Sequence, residues 1–267
     1  MTARNILTLC GLALALAVPA LTATLTLDAV ADTSLFQPAP DNNLGSSSLA
    51  IGVTNSGSSN LSRSLVRFDL ASVLPADAVI EAVSLSLVAK REARTSGTAM
   101  TLRAHRALVF WQEGNGTGNT GAAAQVGDAT WNQRAPGQAN WGTPGGLAGV
   151  DFVASASALT NDITYGYLGT VDFDSTQGLI DDVHYWLTNP AANFGYFLMA
   201  ADESTPASAR RFASTEEFTQ GLSPDPVFPP RLTITYSAAI PEPSSYAAIA
   251  GALGLGMAFY RRRCVRR

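Results

Sequence analysis

The sequence predicts an all-β protein, a single antiparallel β-sandwich with one short helix, flanked by two terminal segments outside the fold. Apolar and polar residues alternate with period two along much of the chain, clusters of Gly, Pro, Asn and Ser separate the short runs, and only one stretch has helical periodicity. Many short strands divided by turns argue for two packed sheets. About 217 residues lie between the terminal segments, enough for one such unit.

In chain order, Arg4, an apolar run from Ile6 to Val18 and the small residues Ala20 and Ala23 make the three regions of a secretory signal peptide, residues 1–23. The run has 13 residues, short for a membrane span. Cleavage after Ala20 or Ala23 is preferred to the later Ala29-Val30-Ala31, because Thr24 to Val30 has strand character. The body, 24–239, then shows clear alternation at Val66, Phe68 and Leu70 against Arg67 and Asp69, at Val83, Leu85 and Leu87 against serines, and at Leu232, Ile234 and Tyr236 against Arg231, Thr233 and Thr235. These predict half-buried antiparallel strands. Further strands are expected at Leu49 to Val53, Met100 to Ala107, Tyr167 to Phe173, Phe194 to Ala201 and Arg210 to Ser214. The helix is expected over Gln177 to Leu187, with Leu179, Ile180, Val183, Trp186 and Leu187 on one face and Asp181, Asp182 and His184 outside it. Asp174 or Ser175 can cap its start, and Asn189-Pro190 ends it. No internal repeat indicates a propeller or solenoid.

The C-terminal segment, 240–267, has three ordered parts: Ile240-Pro241-Glu242-Pro243, an apolar stretch through Ala247 to Tyr260, and the cluster Arg261, Arg262, Arg263, Arg266 and Arg267. Two prolines one residue apart exclude helix and central strand, which leaves an extended, protease-accessible hinge. The 17 residues from Ser244 to Tyr260 would span about 25 Å as a helix, the short end of what crosses a ~30 Å hydrocarbon core. This order resembles the PEP-CTERM sorting tail of Gram-negative bacteria that make exopolysaccharide. The resemblance implies transient inner-membrane anchoring, cleavage near Pro243 by an exosortase-type processing enzyme, and passage to the outer surface or matrix. A plain membrane anchor is the alternative.

Removing both ends leaves 20 acidic and 11 basic side chains, a formal charge of −9 against −4 for the whole chain. That argues against a nucleic-acid partner. Cys10 and Cys264, the two cysteines, both lie in the terminal segments, so the body has no disulfide and no thiolate metal site.

Within the body, Asp41-Asn42-Asn43-Leu44-Gly45-Ser46-Ser47, Arg63 to Leu70 with Leu74-Pro75 and Ile80 to Val88 resemble, in that order, the DNRLRE domain family. Ala129 to Asn132, Trp141 to Gly146, Val183 to Trp186 with Asn193 to Gly195, Phe212 to Ser214 and Pro230 to Tyr236 continue the match. The resemblance implies a jelly-roll-like sandwich akin to carbohydrate-binding modules, some of which bind acidic polysaccharide. The Gly, Asn and Ala-rich insertion from Gln112 to Asp128 departs from the family pattern.

The body has no Gly-x-Ser-x-Gly elbow, no His-Glu-x-x-His and no phosphate loop. His105 and His184 have no second histidine or cysteine at ligand spacing. Asp181 with Asp182, Asp202 with Glu203 and Glu216 with Glu217 are read as solvated faces rather than as the paired carboxylates of a glycosidase. The residues suited to a glycan are Trp131, Asn132, Arg134 and Trp141, which combine rings that stack on sugar faces with groups that bond hydroxyls and uronates. Exposure of the two tryptophans favours glycan binding, and burial of both favours a structural role. Trp111 and Trp186 read as core. A structural calcium has candidate oxygen ligands at Asp41 and Asn43 and at Asp172 and Asp174, although an Asx turn at Asp41 to Asn43 and a helix cap at Asp174 explain them more simply. The expectation is a non-catalytic, exported surface or matrix protein associating with exopolysaccharide. A purely structural or adhesive matrix protein is the alternative, and a polysaccharide-degrading enzyme a weaker one.

Overall fold

The computed structural model describes residues 21–54, 60–71, 73–75, 78–90, 98–216 and 228–238. The signal peptide up to Ala20, and the sorting motif Ile240-Pro241-Glu242-Pro243 with its apolar stretch and arginines, lie outside the described residues. Among the described residues no helix is long and apolar enough to cross a membrane.

The strands are β1 (Leu21–Asp28), β2 (Ala31–Phe36), β3 (Asn42–Asn43), β4 (Leu49–Val53), β5 (Leu61–Arg67), β6 (Val79–Ala89), β7 (Leu102–Arg106), β8 (Ala122–Ala123), β9 (Ala158–Leu159), β10 (Gly169–Phe173), β11 (Tyr196–Ala200), β12 (Arg210–Phe212) and β13 (Arg231–Ala238). One helix, α1 (Gln177–Thr188), and a short 3₁₀ turn, Pro190–Ala192, separate β10 from β11. They belong to a compact unit, Thr22–Ser237. Eleven strands join in the order β1-β13-β6-β12-β4-β5-β11-β7-β9, with β10 also on β6 and β2 also on β5, while β3 and β8 form a separate pair. The fold is mostly β, antiparallel and sandwich-like. Its turning point is β4, where Leu49 to Ile51 pair with β12 but Gly52 and Val53 pair with β5. Gly52 has φ +109°, and a Cβ there would sit 2.9 Å from Ala209 Cα, so the change of partner requires glycine.

Among the described residues two apolar cores result. The main one takes Val83, Leu85 and Leu87 from β6, Val171 and Phe173 from β10, Leu232 and Ile234 from β13, and Val66, Tyr196 and Leu198 from β5 and β11, sealed by Leu179, Val183 and Trp186 of α1. The second takes the alternate residues Leu65, Phe197 and Met199 together with Trp111, Trp131, Trp141 and Phe152 from the long segment after β7. Successive strand residues face opposite ways, so β5 and β11 are covered on both faces. That is why Tyr196 to Ala200 is an unbroken apolar run with every residue buried.

Most expected elements form close to their predicted bounds, and the differences have physical causes. β2 escapes sequence reading because Asp32, Thr33 and Ser34 are polar yet fully buried. The strand expected at Val66 to Leu70 instead ends at Arg67, and Phe68 and Leu70 are buried beyond it as irregular chain. The cap of α1 is Thr176, whose side chain accepts from Leu179 N. Ser175 is engaged elsewhere, its Oγ accepting from Val83 N. Asp182 does not lie on the solvent face as expected: it is buried and paired with Arg106 at 2.8 Å.

Candidate functional site

The segment expected to form a glycan platform covers the outer face of β5 and β11. Trp131 is 6% and Trp141 4% exposed, so neither offers a ring face to a ligand. Trp141 Nε1 donates to Thr130 O at 2.8 Å, and its ring meets Phe197 of β11 edge-on at 5.5 Å. Two arginines on the same face of β5 lie over the cover: Arg63 is 5.8 Å from the centroid of the Trp131 ring, and Arg67 is 5.6 Å from that of Trp111. Arg63 also donates to Gly145 O and Gly146 O at 2.7 and 3.0 Å, while Glu203 holds it bidentately with two bonds of 2.7 Å. The glycines are needed because a Cβ on Gly145, at φ +83°, would come within 2.6 Å of Trp131. The run Trp141 to Gly146 is therefore a packed lid clamped onto β5. Arg134 donates to Phe110 O, and Asn132 donates to Asp41 Oδ1 at 2.8 Å, so both polar members of the expected platform hold loops together.

Asn43 is a fully buried peg. Its Oδ1 accepts from Gly45 N and Gly116 N, and its Nδ2 donates to Glu113 O and Ala129 O. Both oxygen lone pairs are then used within the protein, and the Gly-rich insertion winds around this side chain. Asp41 remains exposed and bonded to Asn132.

Asp172 and Asp174 share the solvent side of β10 and its continuation, opposite Val171 and Phe173, as period two dictates. With Asp162, Tyr167, Asn161 and Thr170 they help line a surface pocket of about 300 Å³. Ser86 donates to Asp172 at 2.6 Å, Thr101 donates to Asp162 at 2.5 Å, and the exposed Tyr167 donates through its hydroxyl to Thr170 O. The structure thus brings the second calcium pair together with a third carboxylate and an aromatic ring. It keeps Asp41 and Asn43 apart from them in the loop pair β3 and β8.

No protein-family model matches this chain, and no curated protein does either.

The residues read as solvated acids divide sharply. Asp202 is exposed and takes bonds from Ser204 and Thr205, whose hydroxyls hold its carboxyl down at about 2. Its neighbour Glu203 turns inward to Arg63. Burial raises the Asp182 carboxyl, with Ser157 and Arg106 opposing that rise. Glu216 turns toward Asp32 and Glu113, a grouping of three carboxylates from remote parts of the chain, while Glu217 lies outside the described residues. Sequence reasoning missed this trio because Asp32 sits in an uninterrupted buried strand and Glu113 in a Gly-rich run. His105 is buried against Phe152, its Nδ1 2.8 Å from Val153 O, and desolvation lowers its pKa. His184 is on the exposed face of α1.

Proposed function

We propose that this chain is a non-catalytic exported protein of the Gram-negative cell surface or extracellular matrix, whose jelly-roll-like sandwich is a spacer or adhesive unit. The observation that carries this reading is the inward turn of Trp131 and Trp141, which removes the stacking surface expected of a glycan module. The acids that could have been catalytic pairs are instead separated by side: Asp182 and Glu203 are held by arginines, and their sequence neighbours face solvent. Export rests on the two ends of the sequence, the signal peptide and the PEP-CTERM-like tail with Ile240 to Pro243 and Arg261 to Arg263. In this reading the secretion machinery and an exosortase-type enzyme are its processing partners, and the membrane is met only through the C-terminal apolar stretch before cleavage. Intact-mass measurement of material from the host's surface tests it, with loss of about 20 residues at the start and about 24 at the end expected. Full-length chain accumulating in the inner membrane overturns the sorting step.

A second reading, association with exopolysaccharide, is favoured by the pocket around Tyr167, Asp162, Asp172 and Asp174. An exposed ring beside carboxylates and hydroxyls suits a neutral sugar directly, whereas a uronate there needs a cation to offset the repulsion. Binding of the wild type to neutral and uronate-containing polysaccharides, with and without calcium, is expected to be lost on Tyr167→Ala. Absence of binding by the folded wild type, or equal binding by the variant, removes this pocket from consideration.

A further inference from the structure

Asp32 at the start of β2, Glu113 just after Trp111 and Glu216 beyond β12 each direct a carboxylate oxygen to one place, all within 4.8 Å of one another. Asp32 is 0% exposed. Its Oδ2 accepts from Thr215 N at 2.8 Å, while its buried Oδ1 has no hydrogen-bond partner. Glu113 Oε1 accepts from Asp32 N at 2.7 Å, and Glu216 Oε1 accepts from the Thr215 hydroxyl at 3.0 Å. These bonds fix the geometry of the three side chains. Burial first, and the neighbouring carboxylates after it, raise Asp32 well above the usual carboxylate range, and burial with the Glu216 charge pushes Glu113 up to about 7 despite the opposing field of Arg67. Three carboxylates converging in a partly dry niche repel one another, and a cation entering it would relieve that repulsion.

We propose that Asp32, Glu113 and Glu216 form a site for one hard divalent cation, calcium, which clamps the Gly-rich cover segment and the end of β12 onto β2. The donors are all oxygen, the set that selects magnesium, calcium or manganese over softer metals. Two oxygens bound to one calcium at about 2.4 Å can lie up to about 4.8 Å apart, so one ion can touch all three side chains. Magnesium demands stricter octahedral geometry and keeps several waters, commonly using one or two protein carboxylates; three converging carboxylates suit calcium better. The unpartnered Asp32 oxygen supplies a ligand atom that no protein group occupies. The ion would also close long loops, since its ligands are widely separated in sequence, and would stabilise the folded state by mass action. This site is independent of the pocket at Asp172 and of any glycan.

The test uses the full-length chain, stripped with EDTA and returned to metal-free buffer near neutral pH. Calcium raised above the ~10⁻⁴ to 10⁻³ M range typical of extracellular modules is expected to raise Tm by roughly 5–10 °C at 100-fold excess over Kd, with magnesium giving a smaller shift. Terbium in place of calcium is expected to show luminescence sensitised by Trp111, two residues from Glu113, and calcium to displace it. Glu113→Gln and Glu216→Gln should each abolish both responses, whereas Asp172→Asn should keep them. Because Glu216 is only half-buried, its variant reports on binding even where a change at Asp32 would disturb folding. Unfolding that ignores calcium, responses that survive both glutamine variants, or responses lost instead in Asp172→Asn each overturn the proposal; the first outcome would mean that shared protons, not an ion, balance the trio.

Discussion

His105 illustrates how one buried ring makes stability depend on pH. Its Nδ1 faces Val153 O, so the ring carries its proton there, and the buried Nε2 has no partner to receive a second one. Arg103 and Arg63 add positive charge nearby, and desolvation is the larger cause of its lowered pKa. A folded-state pKa below the unfolded value means stability present above about pH 6.5 and lost as pH falls through the folded pKa, because the unfolded chain takes a proton that the folded one refuses. The raised carboxyls of Asp32, Glu113 and Asp182 act in the opposite sense and gain as pH falls. The comparison that isolates the histidine is therefore wild type against His105→Asn, which keeps a donor near the Nδ1 position. The wild type should lose more Tm than the variant between about pH 7.5 and pH 5. Parallel profiles would mean that His105 stays neutral in both states or charges in both.

Among the elements, those whose signal is local were legible and those whose signal is a distant partner were not. β4 matches its expected bounds because Leu49 to Val53 is a short apolar run, and α1 exceeds its expectation by a single residue because its apolar spacing is self-contained. By contrast, nothing near Asp182 or Glu203 in the sequence announces an arginine arriving from another strand, and nothing near Trp131 announces that β5 and β11 need a second cover. The Arg63 and Glu203 pair is the clearest case, since Arg63 of β5 donates two hydrogen bonds to Glu203 and two more to the Gly145-Gly146 turn. Breaking a partly buried pair by removing one partner leaves the other charge uncompensated. Glu203→Ala should therefore loosen the lid, seen as red-shifted tryptophan emission and faster proteolysis between Trp131 and Val153, at a cost of about 1–3 kcal/mol. Arg103, 3.8 Å from the same carboxylate, offers no substitute for the fork that Glu203 makes with Arg63. Unchanged emission and cleavage would assign the lid's closure to its apolar contacts alone.

At the scale of the molecule, the arrangement of two cores around a shared pair of strands decides how the body should unfold. Leu65 and Val66 are adjacent in β5, yet one belongs to the cover core and the other to the main core, and β11 divides its residues in the same way. Neither core can lose its packing without stripping a face from these strands, so the two should fail together rather than as separate local units. The tryptophans report on them separately, because Trp111, Trp131 and Trp141 lie in the cover core and Trp186 packs on Tyr196 in the main one. Variants keeping only Trp131 or only Trp186 should give denaturation midpoints that coincide with each other and with the loss of strand-type circular dichroism. Reductant should leave all three unchanged, since Cys10 and Cys264 lie in the terminal segments of the sequence and no cysteine falls between them. If Trp131 reports a transition at lower denaturant than Trp186, the cover is a separable layer, and the sharing of β5 and β11 does not couple the two cores.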